Sequence, residues 1–232
     1  MKCVILQPSY IPWRGYFDQI YQADVFIFYD DVQYDKNGWR NRNIIKTAQG
    51  PQWLTIPVRT RGTVSESIPI NQIPIAWDKP WNTHHWKGIQ LGYKKAPFFE
   101  KYAGFFEEIY CRKPEFLADF TIPTTIELAD LLGIRDTRFL KSSDIPGISG
   151  EKTDRLIEIL KTVGADHYIS GPAAKDYIED EKFRQAGIQL EYMQYNYPEY
   201  PQLHPPFDGK VTIIDLLFNT GPDALKFITG EN

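Results

Sequence analysis

Cys3-Val4-Ile5-Leu6-Gln7-Pro8-Ser9-Tyr10-Ile11-Pro12-Trp13-Arg14-Gly15-Tyr16-Phe17 is the stretch that decides the fold. Cys3–Leu6 reads as a short buried strand, and the chain from Gly15 to Gln22 reads as a helix. Two prolines and a glycine between them force an unusual path at a strand-to-helix turn. In an open parallel sheet such a turn sits at the carboxyl end of a strand, where ligands bind and helix N-termini present free N–H groups to anions. Gln7, Ser9 and Arg14 are expected to stand exposed there, with Tyr10 and Trp13 beside them and Gly15 opening the helix. A turn that merely reverses the chain is the competing reading.

The pattern then repeats. Asp24–Tyr29 is a second apolar run, ending in the acidic pair Asp30-Asp31. Gln33–Asn43 is polar. Ile44–Lys46, a Gly50-Pro51 turn and Trp53–Val58 predict a hairpin. Residues 59–80 read as a long functional loop with an edge strand over Ser67–Asn71. Helical spacing covers Trp81–Tyr93, Pro97–Tyr110 and Pro114–Leu132, with both prolines at first helical positions. Alternation resumes with strand Arg138–Leu140, helix Glu151–Val163, strand Asp166–Ser170, helix Ala173–Ala186 and strand Ile188–Met193. Helices over Thr212–Phe218 and Pro222–Ile228 close the chain. The expectation is one α/β domain over residues 1–232, a doubly wound and mostly parallel sheet with hairpin, loop and helices inserted at about 33–133.

Bulk properties narrow the function. A net charge of −4 argues against a generic electrostatic grip on nucleic acid, although aminoacyl-tRNA stays open through a local basic patch. Cys3 and Cys111 offer neither metal spacing nor a disulfide framework, and they fit a reducing cytoplasm. No apolar run has membrane-spanning length, and Met1-Lys2 leads straight into the first strand, so a cytoplasmic location is expected. Clustered Cys/His spacing is absent, and no metal site is expected.

Several positions could carry chemistry. Asp31 could accept a proton from an amine, bind a metal or hold a ribose; loop capping is equally plausible. Arg40, Arg42 and Lys46 would share one face of an extended segment and converge on phosphate or carboxylate, with Asn41 and Asn43 on the other face. Of the His84-His85 pair near a helix start, one is the best candidate general base, and His84 is taken for that role beside Asp31. Ser149–Arg155 lies between a strand and a helix, so Lys152 and Thr153 could meet phosphate, although Glu151 breaks the Walker pattern. Ser170-Gly171-Pro172 repeats that geometry. Trp13, Trp39 and Trp53 could stack on a sugar or base.

The motifs Gln7–Phe17, Asp30-Asp31-Val32-Gln33-Tyr34, Trp39–Lys46, Trp53–Val58, Lys95–Phe99, Tyr168–Gly171 and Ile213–Asn219 give the chain a likeness spanning nearly its whole length. It resembles the WbqC-like proteins, which accompany O-antigen and other surface-polysaccharide genes. One departure is Asp35, where the pattern has a lysine beside Lys36. The resemblance implies a transferase that moves an aminoacyl or acyl group onto an amino group of a sugar or other small molecule, with a nucleotide-sugar among the candidate substrates. A non-catalytic nucleotide- or glycan-binding protein is the alternative. The opening strand, proline loop, Gly15 and helix also look like a HIGH-type nucleotidyltransferase, but without that group's loop histidines. If nucleotide chemistry is retained, ATP with magnesium is the cofactor it calls for, and Gln7, Ser9, Tyr10 and helix amides must replace the histidines.

Overall fold

The computed structural model describes residues 1–36, 38–60 and 68–230. Five parallel strands form the main sheet: β1 (Lys2–Leu6), β2 (Val25–Phe28), β5 (Arg138–Lys141), β6 (His167–Ser170) and β7 (Gln189–Tyr192), in spatial order β5-β2-β1-β6-β7. The direction of winding reverses between β1 and β6, which places the topological switch point at the ends of those two strands. The hairpin β3 (Arg42–Thr47) and β4 (Gly50–Thr55) pairs antiparallel as a separate sheet. The result is the expected α/β architecture, Rossmann-like in its strand order.

Side-chain alternation along β1 and β2 divides the core in two. Val4, Phe26 and Phe28 face one layer, built from α1 (Arg14–Gln22), α2 (Trp81–Tyr93), α3 (Phe99–Cys111), α4 (Leu117–Leu131) and α7 (Ile213–Thr220). Cys3, Ile5, Val25 and Ile27 face the other, built from α5 (Lys152–Val163) and α6 (Asp180–Gln185). Strands buried on both faces need apolar residues at every position, and β2 is VFIF. No helix among the described residues is long and apolar enough to cross a membrane.

Several expectations need correction. Pro97 and Pro114 lie before α3 and α4, not at their first helical positions, and Pro123 sits inside α4. The helix expected over Ala173–Ala186 is two pieces, a 3-10 turn over Pro172–Asp176 and α6, with Ile178 buried between them. The last helix is likewise split into a 3-10 turn, Gly221–Asp223, and α8 (Lys226–Thr229). Of the expected edge strand, Ser67 lies outside the described residues. Pro69 bridges Gln33, and Ile70–Gln72 turns into 3-10 geometry.

Candidate functional site

The loop after β1 is not an open binding loop. Ser9, Tyr10, Ile11, Pro12 and Arg14 are buried, and only Gln7 and Trp13 keep partial exposure. The cover comes from distant parts of the chain. Asn43 Nδ2 donates to the carbonyls of Tyr10 (3.0 Å) and Ile11 (2.8 Å), Tyr10 N donates to Trp39 O, and Ile213 N donates to Pro12 O. Ile11 has φ +41°, a costly position for a β-branched residue, and these bonds hold it there. Gly15 is needed because a Cβ would meet the Trp13 ring at 2.3 Å. Arg14, expected in solvent, donates to Pro198 O (2.7 Å) and Phe227 O (3.3 Å), with its guanidinium 4.8 Å from the centre of the Tyr197 ring.

The three cations of the Trp39–Lys46 run do not converge. Lys46 is buried and donates to Gln202 Oε1 (2.6 Å) and to Pro206 O. Next to it Asp215 accepts from Tyr93 OH (2.9 Å), Tyr200 OH (2.8 Å) and Gln202 Nε2 (2.8 Å). Burial pushes the Asp215 carboxyl up, and these hydrogen bonds and Lys46 pull against that. Lys46 therefore ties the hairpin to residues 200–215. Asn41 Nδ2 is used on Ile56 O at 2.8 Å. Arg40 is inserted beside Tyr16 and Tyr34, with Asp35 at 3.7 Å, and desolvation lowers its pKa. Arg42 lies 4.8 Å over the Trp53 ring, and Trp53 stacks on Trp39 at 5.5 Å, both indoles about half exposed. Gln33 is exposed at the foot of this segment.

The histidines separate by direction. His85 is buried, and Nδ1 lies 2.8 Å from Tyr10 OH, which is 2.5 Å from Tyr110 OH. Desolvation lowers its pKa to about 4, against a backbone hydrogen bond to Thr55 that acts the other way. It is a neutral packing group. His84, the next residue round α2, is exposed. Nothing in this arrangement brings His84 to Asp31.

Three loops do meet at the carboxyl edge. Asp31, after β2, accepts from Arg155 Nη2 (2.6 Å) in the first turn of α5 and from Ser142 Oγ (2.6 Å) after β5. The Arg155 guanidinium stands 5.7 Å from the Tyr29 ring centre. Tyr29 is raised in pKa by burial, with Arg155 opposing and Tyr177, from the turn after β6, adding to the rise. Tyr177 is 67% exposed, an open aromatic on this edge. Ser170 is buried at the end of β6, with Gly171 leading into the 3-10 turn. Thr153 is buried, and its Oγ1 accepts from Glu179 N at 3.2 Å. Lys152 is exposed at φ +50°. Among the described residues no side chain caps the start of α5, and the buried Arg155 Nε has no hydrogen-bond partner. Lys152 and Arg155 oppose the helix dipole, Asp154 between them favours it, and Asp31 pairs with Arg155.

A hollow of about 670 Å³ at the other edge of the sheet lies among Asp24, Asp166 and His167, with the Met1 ammonium 2.5 Å from Asp166. It sits where strands begin, away from the switch point.

A family model for WbqC-like proteins matches residues 7–227. The chain belongs to the WbqC-like protein family. It is also 37% identical over 229 residues to the uncharacterized protein Rv1507c of Mycobacterium tuberculosis, covering 98% of this chain and 97% of that one. No solved structure matches it. In this WbqC-like chain, sequence reasoning found Asp31, Lys152, Ser170 and Gly171 at the carboxyl edge and missed Tyr29, Tyr177 and the pairing role of Arg155. The available signal was position: Arg155 lies one turn into a helix that follows a strand, and Tyr29 ends the strand that precedes Asp30-Asp31.

Proposed function

We propose that this WbqC-like protein is a transferase that holds an anionic, ring-bearing donor over the carboxyl edge of its sheet and passes an acyl or aminoacyl group to an amine. One observation carries the reading: Arg155, partly exposed, stands in the first turn of α5 with Nη2 on Asp31 and Lys152 beside it, and among the described residues no side chain caps that helix start. Cations at the positive end of a helix favour an anion, so phosphate would meet the α5 amides, Lys152 and Arg155. Tyr29 and Tyr177 would flank a base or sugar, and Gly171 allows close backbone approach. Gln7 follows β1 and Ser170 ends β6, the two strands that flank the switch point.

In the reaction, the amine nitrogen forms a bond to the acyl carbon and the bond from that carbon to its leaving oxygen breaks. The ammonium proton passes to the Asp31 carboxylate, and the negative charge on the leaving oxygen faces Arg155. No group of three metal-binding side chains occurs among the described residues, so magnesium, if used, would arrive on the nucleotide phosphates. Trp39, Trp53 and Arg42 supply an exposed stacking surface for the acceptor. Pro8–Pro12, Arg40, Asn41, Asn43, Lys46 and Thr153 act as framework. A non-catalytic ligand-binding role has its own support, because both Asp31 oxygens are already engaged, by Arg155 and Ser142.

Thermal shift against nucleotides, nucleotide-sugars, amino acids and acyl-CoAs, with and without magnesium, tests the reading, since a ligand that binds only the folded chain raises Tm. A shift lost in Arg155→Gln supports the site, and turnover of that ligand with an amine separates transferase from binder. Millimolar ligands giving no shift would count against it.

A further inference from the structure

Charge is not spread evenly along this chain. Residues 36–99 hold ten of its 26 Lys and Arg but two of its 30 Asp and Glu. That stretch therefore carries +8 and the remainder −12, so the overall −4 conceals a basic region in an acidic chain. Lys46 and Arg40 are used internally, on Gln202 and Asp35. Lys36, Arg59, Lys79, Lys87, Lys94 and Lys95 are exposed, and among the described residues none of them forms an ion pair. Unpaired cations of one sign on one region attract a polyanion, and the acidic remainder repels it from everywhere else.

The same region bears the exposed indole pair. Trp39 and Trp53 keep 46% and 48% exposure, with ring centres 5.5 Å apart and planes tilted by 21°. Alternation along β4 turns Trp53 to the face opposite the buried Leu54. Two indoles stacked face to face end in an open π face, and what extends such a stack is another flat aromatic plane. A nucleobase supplies that plane and a saccharide ring does not. The pair is tied to the carboxyl edge of the sheet, because Tyr10 N, in the loop after β1, donates to Trp39 O at 3.0 Å. The hairpin also packs on α2, where a Cβ at Gly92 would meet Lys46 O at 3.2 Å, so the lysines of α2 belong to the same lobe.

We propose that this lobe binds single-stranded nucleic acid, with a base stacked on the Trp39–Trp53 pair and phosphates on the flanking cations Lys36 and Arg59. The binding claim stands on the charge and the indoles alone. Its role rests on the transferase reading above: the acceptor held at this surface is then borne on the strand. Trp39 follows Asp31 by eight residues, a chain reach of at most about 27 Å, so a short strand joins the indoles to the Arg155 edge.

The test is fluorescence anisotropy of the full chain with fluorescein-labelled oligo(U) and oligo(dT) of about twelve nucleotides, a length such surfaces cover. Saturable binding of either is expected, and the tighter of the two identifies the sugar it takes. Affinity should fall roughly twenty-fold between about 50 and 200 mM salt, the counterion release of about three phosphate contacts on a single strand. Trp53→Ala should weaken binding about ten-fold with the salt slope unchanged, the loss of one base stack. Lys36→Gln combined with Arg59→Gln should lower that slope by about 1. Each variant is first checked for the melting transition of the parent chain. No binding at about 50 mM salt, or unchanged affinity in Trp53→Ala, would overturn the proposal. So would polygalacturonate displacing the strand as well as unlabelled oligo(U) does at equal charge, which would make the lobe a site for acidic glycan. Neither oligonucleotide carries a group to transfer, so the outcome is independent of the transferase reading.

Discussion

Two charged clusters, one around Lys46 and Asp215 and one around Asp31 and Arg155, use the same chemistry to opposite ends. The first is closed. Asp215 is 1% exposed, accepts from two phenols and an amide, and sits beside a lysine that is itself fully engaged. The second is half open, with side-chain exposures of 19% for Arg155 and 24% for Asp31 and, among the described residues, no side chain capping the helix start. A closed network fixes the position of the chain segments it joins. An open one retains donors for something that is not part of the chain.

The sharpest way to break this comparison is to remove one partner from each cluster. Lys46→Ala leaves the Pro206 carbonyl and Gln202 Oε1 without their donor beside the buried Asp215, and a loss of about 1–3 kcal/mol in a urea melt is expected, above that of Arg155→Gln. Arg155→Gln should change stability by about 1 kcal/mol and anion affinity by roughly ten- to a hundred-fold, because an arginine–phosphate hydrogen bond contributes about 1.5–3 kcal/mol. If the two variants exchange these effects, the assignment of roles is wrong.

A third contrast lies inside α2. His85 is held neutral, with a pKa of about 4, whereas the unfolded chain titrates near 6.5. The unfolded state binds the extra proton between those values, so this contribution is fully present above pH 6.5 and is lost as pH falls toward 4. It amounts to about 3 kcal/mol. Stability measured from pH 7 to 4 should fall less steeply in His85→Gln than in the parent chain, and parallel curves would remove His85 from the account. The smallest effect belongs to Lys152. Glycine tolerates φ +50° without strain, so Lys152→Gly should raise stability by about 0.5–1 kcal/mol while weakening anion binding. An unchanged anion affinity would leave Arg155 and the helix amides as the sole phosphate partners.

The sheet was legible because strands buried on both faces write themselves as uninterrupted apolar runs: Cys3–Leu6, Val25–Phe28 and Tyr168-Ile169 all stand out. The acidic pair after β2 and the start of α5 were legible as positions for the same reason. What covers the β1 loop was not. Asn43 reaches Tyr10 and Ile11 from about thirty residues away, and Arg14 is enclosed by residues near 197–207, so the burial of a polar loop depended on contacts that no local pattern records. Even spacing of Arg40, Arg42 and Lys46 misled in a different way. Arg40 precedes the strand, and Lys46 shares a strand face with Arg42 but points into a network supplied by the last third of the chain. The Arg155–Asp31 pair spans 124 residues. Its two ends could be placed on the same edge of the sheet from sequence, and their contact could not.

The most direct test is calorimetric titration of the tightest nucleotide ligand into the parent chain, Arg155→Gln and Trp53→Ala, each checked for an unchanged melting transition. The account predicts that Arg155→Gln binds at least ten-fold more weakly, roughly the loss of one charge-assisted hydrogen bond, and that Trp53→Ala leaves nucleotide affinity unchanged. Full affinity in Arg155→Gln together with loss in Trp53→Ala would contradict it and move the anion site from the sheet edge to the hairpin.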